Sequence, residues 1–186
     1  MKLKLYANQR YVNAAVLNMH LKIQEFGLDN LCFVTILKGG VYTAHKIFSM
    51  LPFKESDNVI FGYLGLSSYG DDVYASDYVK VTYPLDLSAE LVRNRDVWII
   101  DDVVDSSRTV DEATHQILRL EPNSIKVAVL VDKVKNRERY GMMEDPPEAV
   151  GFVYEGDNFL VGCGMGLGER FRGLHSLYEV VKEDEL

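Results

Sequence analysis

Cysteine is scarce in this chain. The two present, Cys32 and Cys163, stand far apart with no CxxC spacing, which removes disulfide scaffolds and thiolate metal sites; both fall in strand-like apolar runs, so buried free thiols are expected. Positive charge is also short. Twenty Lys and Arg against 28 Asp and Glu leave a net charge of −8, which argues against a general nucleic-acid or acidic-membrane surface. No apolar run reaches the roughly 20 residues of a membrane-spanning helix, and the stretch Met1-Lys2-Leu3-Lys4-Leu5-Tyr6 lacks the apolar core of a signal peptide, so a cytoplasmic protein is expected. Repeats, low-complexity segments and linkers are missing, and 186 residues suit a single domain over 1–186. Familiar motifs fail too. There is no GxxxxGK[ST] loop. The glycines from Gly162 to Gly168 satisfy G-x-G-x-x-G in no frame; starting at Gly162 the last position is Leu167, and starting at Gly164 it is Glu169. His20, His45, His115 and His175 have no ligand spacing and no nucleophile beside them.

What is there centres on Val97-Trp98-Ile99-Ile100-Asp101-Asp102-Val103-Val104-Asp105-Ser106-Ser107-Arg108-Thr109. An unalternating apolar run reads as a strand buried on both faces of a parallel sheet. The acids therefore stand at its carboxyl end, where open α/β sheets bind ligands. Ser106, Ser107 and Thr109 offer hydroxyls, and the backbone N–H groups of a helix start suit a phosphate. Acids cannot grip phosphate, which leaves them sugar hydroxyls, Mg²⁺ or a proton. The plainer alternative is a helix beginning near Val110, capped by Ser107 or Thr109, with Asp111 and Glu112 in its first turn. That explains the hydroxyls but not three acids at the tip of a buried strand.

The flanking chain fits the same architecture. Val12, Val16, Met19 and Ile23 fall at helical spacing, with Gly27 to end the helix. Leu31 to Leu37 reads as a strand running through Lys38-Gly39-Gly40 into a helix of Val41, Ala44, Ile47, Phe48 and Leu51, stopped by Pro52. Alone, that turn is as well read as an ordinary tight connection. A second anion-suited turn at the same sheet edge changes its weight. Asn58 to Leu66 and Lys80 to Leu85 read as strands. The polar Asp71 to Tyr78 between them reads as a lid hairpin, or equally as a surface hairpin with no role. Val110, Ala113, Ile117 and Leu118 form a helical face, and Ile125 to Val131 a strand leading to Asp132-Lys133. Arg137 and Arg139 read as surface charges. Pro146-Pro147 marks a surface loop, and Ala149 to Tyr154 and Phe159 to Cys163 read as late strands.

The central signature resembles the phosphoribosyl-pyrophosphate motif of type I phosphoribosyltransferases. From about Leu31 to Val180, the order of Leu37-Lys38-Gly39-Gly40, Ser67-Ser68-Tyr69-Gly70, the signature, Leu130-Val131-Asp132-Lys133, Phe159-Leu160-Val161-Gly162 and Glu169-Arg170-Phe171-Arg172 is similar to that of hypoxanthine-guanine phosphoribosyltransferases. The resemblance implies an α/β fold: a central, mostly parallel sheet flanked by helices, a small hood, a lid over about 67–84 and a base-binding segment over about 149–186. It implies transfer of the phosphoribosyl group from phosphoribosyl pyrophosphate to a 6-oxopurine, giving a nucleoside monophosphate and pyrophosphate, in a homodimer or homotetramer with no nucleic-acid or membrane partner. It assigns Asp101 and Asp102 to the ribose hydroxyls and Mg²⁺, and Asp105 to the proton at purine nitrogen 7. Ser106, Ser107, Arg108 and Thr109 fall to the 5′-phosphate. Lys38 and Gly39 form the pyrophosphate loop, where a non-proline cis peptide is frequent, and Arg172 reaches pyrophosphate. Ser68 and Tyr69 belong to the lid. Lys133 donates to the 6-oxo group, Phe159 stacks on the purine, and the Leu160 backbone reads its edge.

The chain departs from that family in two places. Ser106-Ser107 stands where Thr-Gly is usual, so Ser107 must adopt a glycine-like backbone. Gly166 stands where an Asp usually faces the pyrophosphate-side metal. Two other readings are retained: a xanthine-preferring enzyme, and a non-catalytic regulator sensing phosphoribosyl pyrophosphate. Asp105, Lys133 and Phe159, which a regulator would not need, favour the enzyme.

Overall fold

The computed structural model describes residues 1–52, 54, 57–69, 75–140 and 145–182, and of residues 68, 69, 75–78 and 140 the backbone alone. Strand β1 (Lys2–Ala7) leads into α1 (Gln9–Glu25), and β2 (Leu31–Leu37) into α2 (Val41–Phe48). The hairpin strands β3 (Ile60–Tyr69) and β4 (Ala75–Tyr83) follow, then the short α3 (Ala89–Val92). Next come β5 (Asp96–Val104), α4 (Arg108–Leu118), β6 (Ser124–Asp132) and α5 (Val134–Tyr140). Strands β7 (Ala149–Val153), β8 (Phe159–Val161) and β9 (Leu177–Val181) complete the described order.

Six strands form the main sheet in the order β4-β3-β2-β5-β6-β7. All neighbouring pairs are parallel except β3 with β4. The central strands are apolar throughout because both faces are covered. Alternation along each strand divides the core in two. Phe33, Trp98, Ile100, Ala128 and Leu130 face one side with Val12, Val16, Met19 and Ile23 of α1 and Ala44 and Ile47 of α2. Cys32, Val34, Ile36, Val97, Ile99, Val127 and Val129 face the other, with Val92 of α3 and Val110, Ala113 and Ile117 of α4. Each such large apolar side chain contributes about 1.5–3 kcal/mol on burial, so the centre of the sheet holds its register firmly.

That register sets the functional edge. Leu37 of β2 pairs with Gly65 of β3, and Val104 of β5 with Asp132 of β6. The turns after β2, β5 and β6 therefore open on one end of the sheet. A second, antiparallel sheet of order β1-β9-β8 joins the first strand to the last two, with Lys2 opposite Val181 and Phe159 opposite Val180. Tyr6 locks it to the main sheet by edge contacts to Phe152 and Tyr154, at 6.0 and 5.3 Å between ring centres.

The expected strands and helices are present, with shifted ends. Helix α2 stops at Phe48 and continues to Leu51 only as turns, Met50 N donating to Ile47 O and Leu51 N to Phe48 O. Helix α4 starts at Arg108, two residues before Val110. Strand β8 ends at Val161 because Gly162, Cys163 and Gly164 all take positive φ and reverse the chain. Both cysteines are buried and unbridged, and burial pushes each thiol up to about 11. Among the described residues, no helix is long and apolar enough to cross a membrane. The lid expectation over Asp71 to Tyr78 lies outside the described residues at 71–74, and at 75–78 the backbone alone is described, as the start of β4.

Candidate active site

Four turns converge on one cavity of about 380 Å³. The first leaves β2 through a cis Leu37–Lys38 peptide. Gly39 is needed there because a Cβ would overlap the Asp102 carboxylate, and Gly164 because a Cβ would overlap the Gly39 carbonyl. The loop thus lies pressed between the acids of β5 and the turn after β8.

The second turn is the end of β5. Asp101 is buried and Asp102 half-buried. Val103 N donates to Asp102 Oδ1 at 2.9 Å, and Asp102 N to Asp101 Oδ1 at 2.8 Å. Burial, with the adjacent Asp102 charge second, holds Asp101 well above the usual carboxylate range. Burial raises Asp102 as well, opposed by a hydrogen bond from Asp101 and by the Arg172 charge. Two oxygen-donor side chains disfavoured as anions suit a cation or sugar hydroxyls. Among the described residues no cluster of three metal-ligating side chains exists, so a cation here would draw its remaining ligands from phosphates and water.

After β5, Asp105, Ser106, Ser107 and Thr109 line the cavity at the start of α4. Ser107 takes φ +65° at the cap position, the glycine-like backbone expected of it. It does not cap the helix: its hydroxyl makes no capping bond and is buried without a partner among the described residues. Arg108 opens α4 but does not line the cavity.

The third turn carries Lys133, which is 6% exposed, instead of the solvated lysine usual after a strand. Its Nζ lies 3.3 Å from Asp105 Oδ2 and 6.0 Å from the centre of the Phe159 ring. Asn136 Nδ2 donates to Asp105 Oδ1 at 2.5 Å. Arg137 corrects an expectation. It is 8% exposed, not a surface charge, and forks onto Asp132 at 3.0 and 3.1 Å. Arg139 is exposed. The fourth wall is β8 and its turn, bringing Phe159, Leu160, Gly166 and Arg172. Arg172 Nη1 donates to Gly164 O at 2.9 Å and Nη2 to Gly168 O at 3.2 Å. Glu169 bridges Lys38 at 3.0 Å and Arg172 at 3.7 Å.

The cavity therefore brings together Lys38, Gly39, Asp101, Asp102, Asp105, Ser106, Ser107, Thr109, Lys133, Phe159, Leu160 and Arg172. The side chains of Ser68 and Tyr69 lie outside the described residues. Sequence reasoning missed Asn136, Glu169 and the Asp132–Arg137 pair. For Asn136 the signal was available, since a helix starting after Lys133 turns position 136 to the same side. Chemically, the cavity offers hydroxyls and a helix N-terminus, the Asp101 and Asp102 carboxyls, and a ring beside an ammonium.

Residues 4–153 match the family model described as phosphoribosyl transferase domain. A hypoxanthine phosphoribosyltransferase of Salmonella typhimurium is 34% identical over 123 residues, 66% of this chain. The match spans 65% of that protein's length. One from Haemophilus influenzae is 30% identical over 161 residues, covering 87% of this chain and 83% of the relative. In structure, a hypoxanthine-guanine phosphoribosyltransferase from Bacillus anthracis superposes with a TM-score of 0.81 at 22% identity, covering 97% of this chain and all of the other.

Proposed function

The chain belongs to the phosphoribosyltransferase family, and on that premise we propose that it transfers the 5-phosphoribosyl group of phosphoribosyl pyrophosphate to hypoxanthine or guanine, giving IMP or GMP and pyrophosphate in purine salvage. The observation that carries this is the shared cavity. A phosphate-suited helix start, one buried and one half-buried acid and a lysine beside an aromatic ring line the same 380 Å³ space.

The roles follow from the residues that line the cavity. The N–H groups of α4 with Ser106, Ser107 and Thr109 hold the 5′-phosphate. Asp101 and Asp102 bind the ribose hydroxyls. Their buried oxygens also fit Mg²⁺, which when bound supplies positive charge to the departing pyrophosphate. Lys38 and Gly39 face that pyrophosphate from the β2 turn, and Arg172 from the β8 turn. As the bond from C1′ to pyrophosphate breaks and that to the purine nitrogen forms, positive charge grows on the ribose. The carboxylates stabilise it while the cations stabilise the leaving group. Asp105 holds the proton at purine nitrogen 7. Phe159 stacks on the ring, Leu160 reads its edge through the backbone, and Lys133 donates to the 6-oxo group. We read residues 1–186 as one such domain, with Ser68 and Tyr69 on its lid and the cytoplasm as its setting, where unbridged cysteines are normal.

The test is an initial-rate panel with phosphoribosyl pyrophosphate, Mg²⁺ and hypoxanthine, guanine, xanthine or adenine. An ammonium donates and cannot accept, so the 6-amino group of adenine leaves it unpaired at a cost of about 1–3 kcal/mol. We expect turnover of hypoxanthine and guanine and rejection of adenine. Comparable turnover of adenine overturns the assignment, preference for xanthine moves it within the family, and phosphoribosyl-pyrophosphate binding without turnover makes the protein a sensor.

A further inference from the structure

Asp105 lies one residue beyond β5, with both carboxylate oxygens engaged. Asn136 Nδ2 donates to Oδ1 at 2.5 Å, and Lys133 Nζ to Oδ2 at 3.3 Å. The contacts are unequal. Asn136 is the nearer donor, whereas the ammonium stands outside the roughly 2.7–2.9 Å of a strong charge-assisted bond. Rotation of an aspartate carboxylate about Cβ–Cγ is broad and has little preference of its own, so its partners set the plane. Asn136 is well supported for that task. It sits in the first turn of α5, where its N–H and that of Arg137 both donate to Lys133 O at 3.0 Å. The buried Arg137–Asp132 fork ties that turn to the end of β6, and Lys133 N donates to Val104 O at 2.9 Å, next to Asp105 itself. Towards a carboxylate, an Asn amide can only donate through Nδ2, which fixes its orientation.

We propose that Asn136 is a positioning residue for the reaction: it clamps Oδ1 of Asp105, so that Oδ2 is the oxygen presented to the acceptor base. This rests on the reaction assigned above. With Oδ1 satisfied by a neutral donor, the proton at the base is held on Oδ2. Lys133, with three N–H donors, keeps its loose contact to Oδ2 and has donors left for the carbonyl of the base. Without the clamp, Asp105 turns on the ammonium alone, and the ammonium is drawn from the carbonyl towards Asp105. The phosphate turn at the start of α4 is untouched, so the defect falls on turnover and on the base, not on phosphoribosyl pyrophosphate.

The test measures kcat and KM for both substrates in Asn136→Leu, Asn136→Asp and Asn136→Gln, and repeats Asn136→Leu in an Asp105→Asn background. Asn136→Leu keeps the shape but not the donor. Misplacement of a reacting group by about 1 Å costs on the order of 10²-fold, so we expect kcat to fall by about 10- to 100-fold with KM for phosphoribosyl pyrophosphate unchanged. Asn136→Asp sets like charge against Asp105 and falls further, while Asn136→Gln recovers part of the loss. In the Asp105→Asn background Asn136→Leu adds little, because no carboxylate remains to orient. Parental kcat in Asn136→Leu, or the same fold loss in both backgrounds, overturns the proposal, the second result marking a merely structural residue. Should Asn136→Leu fail to fold by circular dichroism, the order Gln above Asp decides in its place. A parent inactive with every base overturns the assigned reaction and this role with it. An active parent with indifferent variants overturns the role of Asn136 alone.

Discussion

Two side chains carry separable consequences at the residue scale. Asp105→Asn keeps the shape and cannot take a proton. General acid–base help is typically worth about 10²–10⁴-fold, so kcat should drop by that order while the affinity for phosphoribosyl pyrophosphate, measured by calorimetry, stays near the parent. Near-normal turnover would remove Asp105 from proton handling. Gly166 stands where the resemblance implies an Asp. Its φ is not in the left-handed region, but a Cβ there would come within 2.7 and 2.9 Å of Arg172 Cγ and Nε and 2.9 Å of the Gly168 carbonyl oxygen, so Gly166→Asp asks both the Arg172 side chain and the Gly168 backbone to shift. The added carboxylate supplies one of the few ligands Mg²⁺ takes from protein. We expect Gly166→Asp to lower the Mg²⁺ concentration for half-maximal rate. An unchanged Mg²⁺ titration in the folded variant would mean the missing acid is without consequence.

Helix α5, at the next scale, depends on one ion pair. Arg137 and Asp132 have side chains only 10% and 5% exposed and meet as a fork. Arg137→Ala leaves Asp132 buried beside no counter-charge, which for a broken buried pair costs roughly 3–5 kcal/mol. For a domain of this size 1 kcal/mol moves Tm by about 2–4 °C, so a calorimetric scan should show a fall of around 10 °C. A change within about 2 °C, the size of a surface substitution under 1 kcal/mol, would show that the pair contributes little. The same change should slow turnover, because Lys133 and Asn136 hang from the helix that the pair seats. Sequence periodicity could not find this pair. A seven-residue helix offers too few apolar positions for a face, and nothing in Arg137-Glu138-Arg139 distinguishes the arginine that turns inward from the exposed one.

For the molecule as a whole, the amino ends of the strands do the joining that the carboxyl ends do for chemistry. Asp96 begins β5 and accepts from Ser124 Oγ at 2.5 Å and Asn123 Nδ2 at 2.7 Å, tying β5 to β6. The Ser124 bond first, with Asn123 and Lys126 assisting against burial, holds its carboxyl below the usual 3.8. A depressed carboxyl stabilises the fold above its unfolded value and loses that contribution as pH falls through the folded one. Asp96→Asn should therefore cost about 1 kcal/mol in urea unfolding at pH 7, with the gap to the parent closing below pH 3.8. A gap constant from pH 7 to pH 3 would remove the carboxylate from this role. What the sequence determined by itself is local and periodic. The apolar runs at Leu31, Val97 and Ile125 read as buried strands, and the acids or glycines ending them as lying at one sheet edge. That the serine at 107 takes a glycine's backbone followed only from the family resemblance. Tertiary structure decided what no local pattern encodes. Lys2 to Ala7 carries no motif, and becomes a strand because Leu177 to Val181 pairs with it from the other end of the chain. Arg137 became a buried anchor, and Asn136, which helical spacing only turned to the side of Lys133, met Asp105, because β5 and β6 lie side by side. Such contacts form only when strands distant in sequence are brought into register, and packing sets that register, not local propensity.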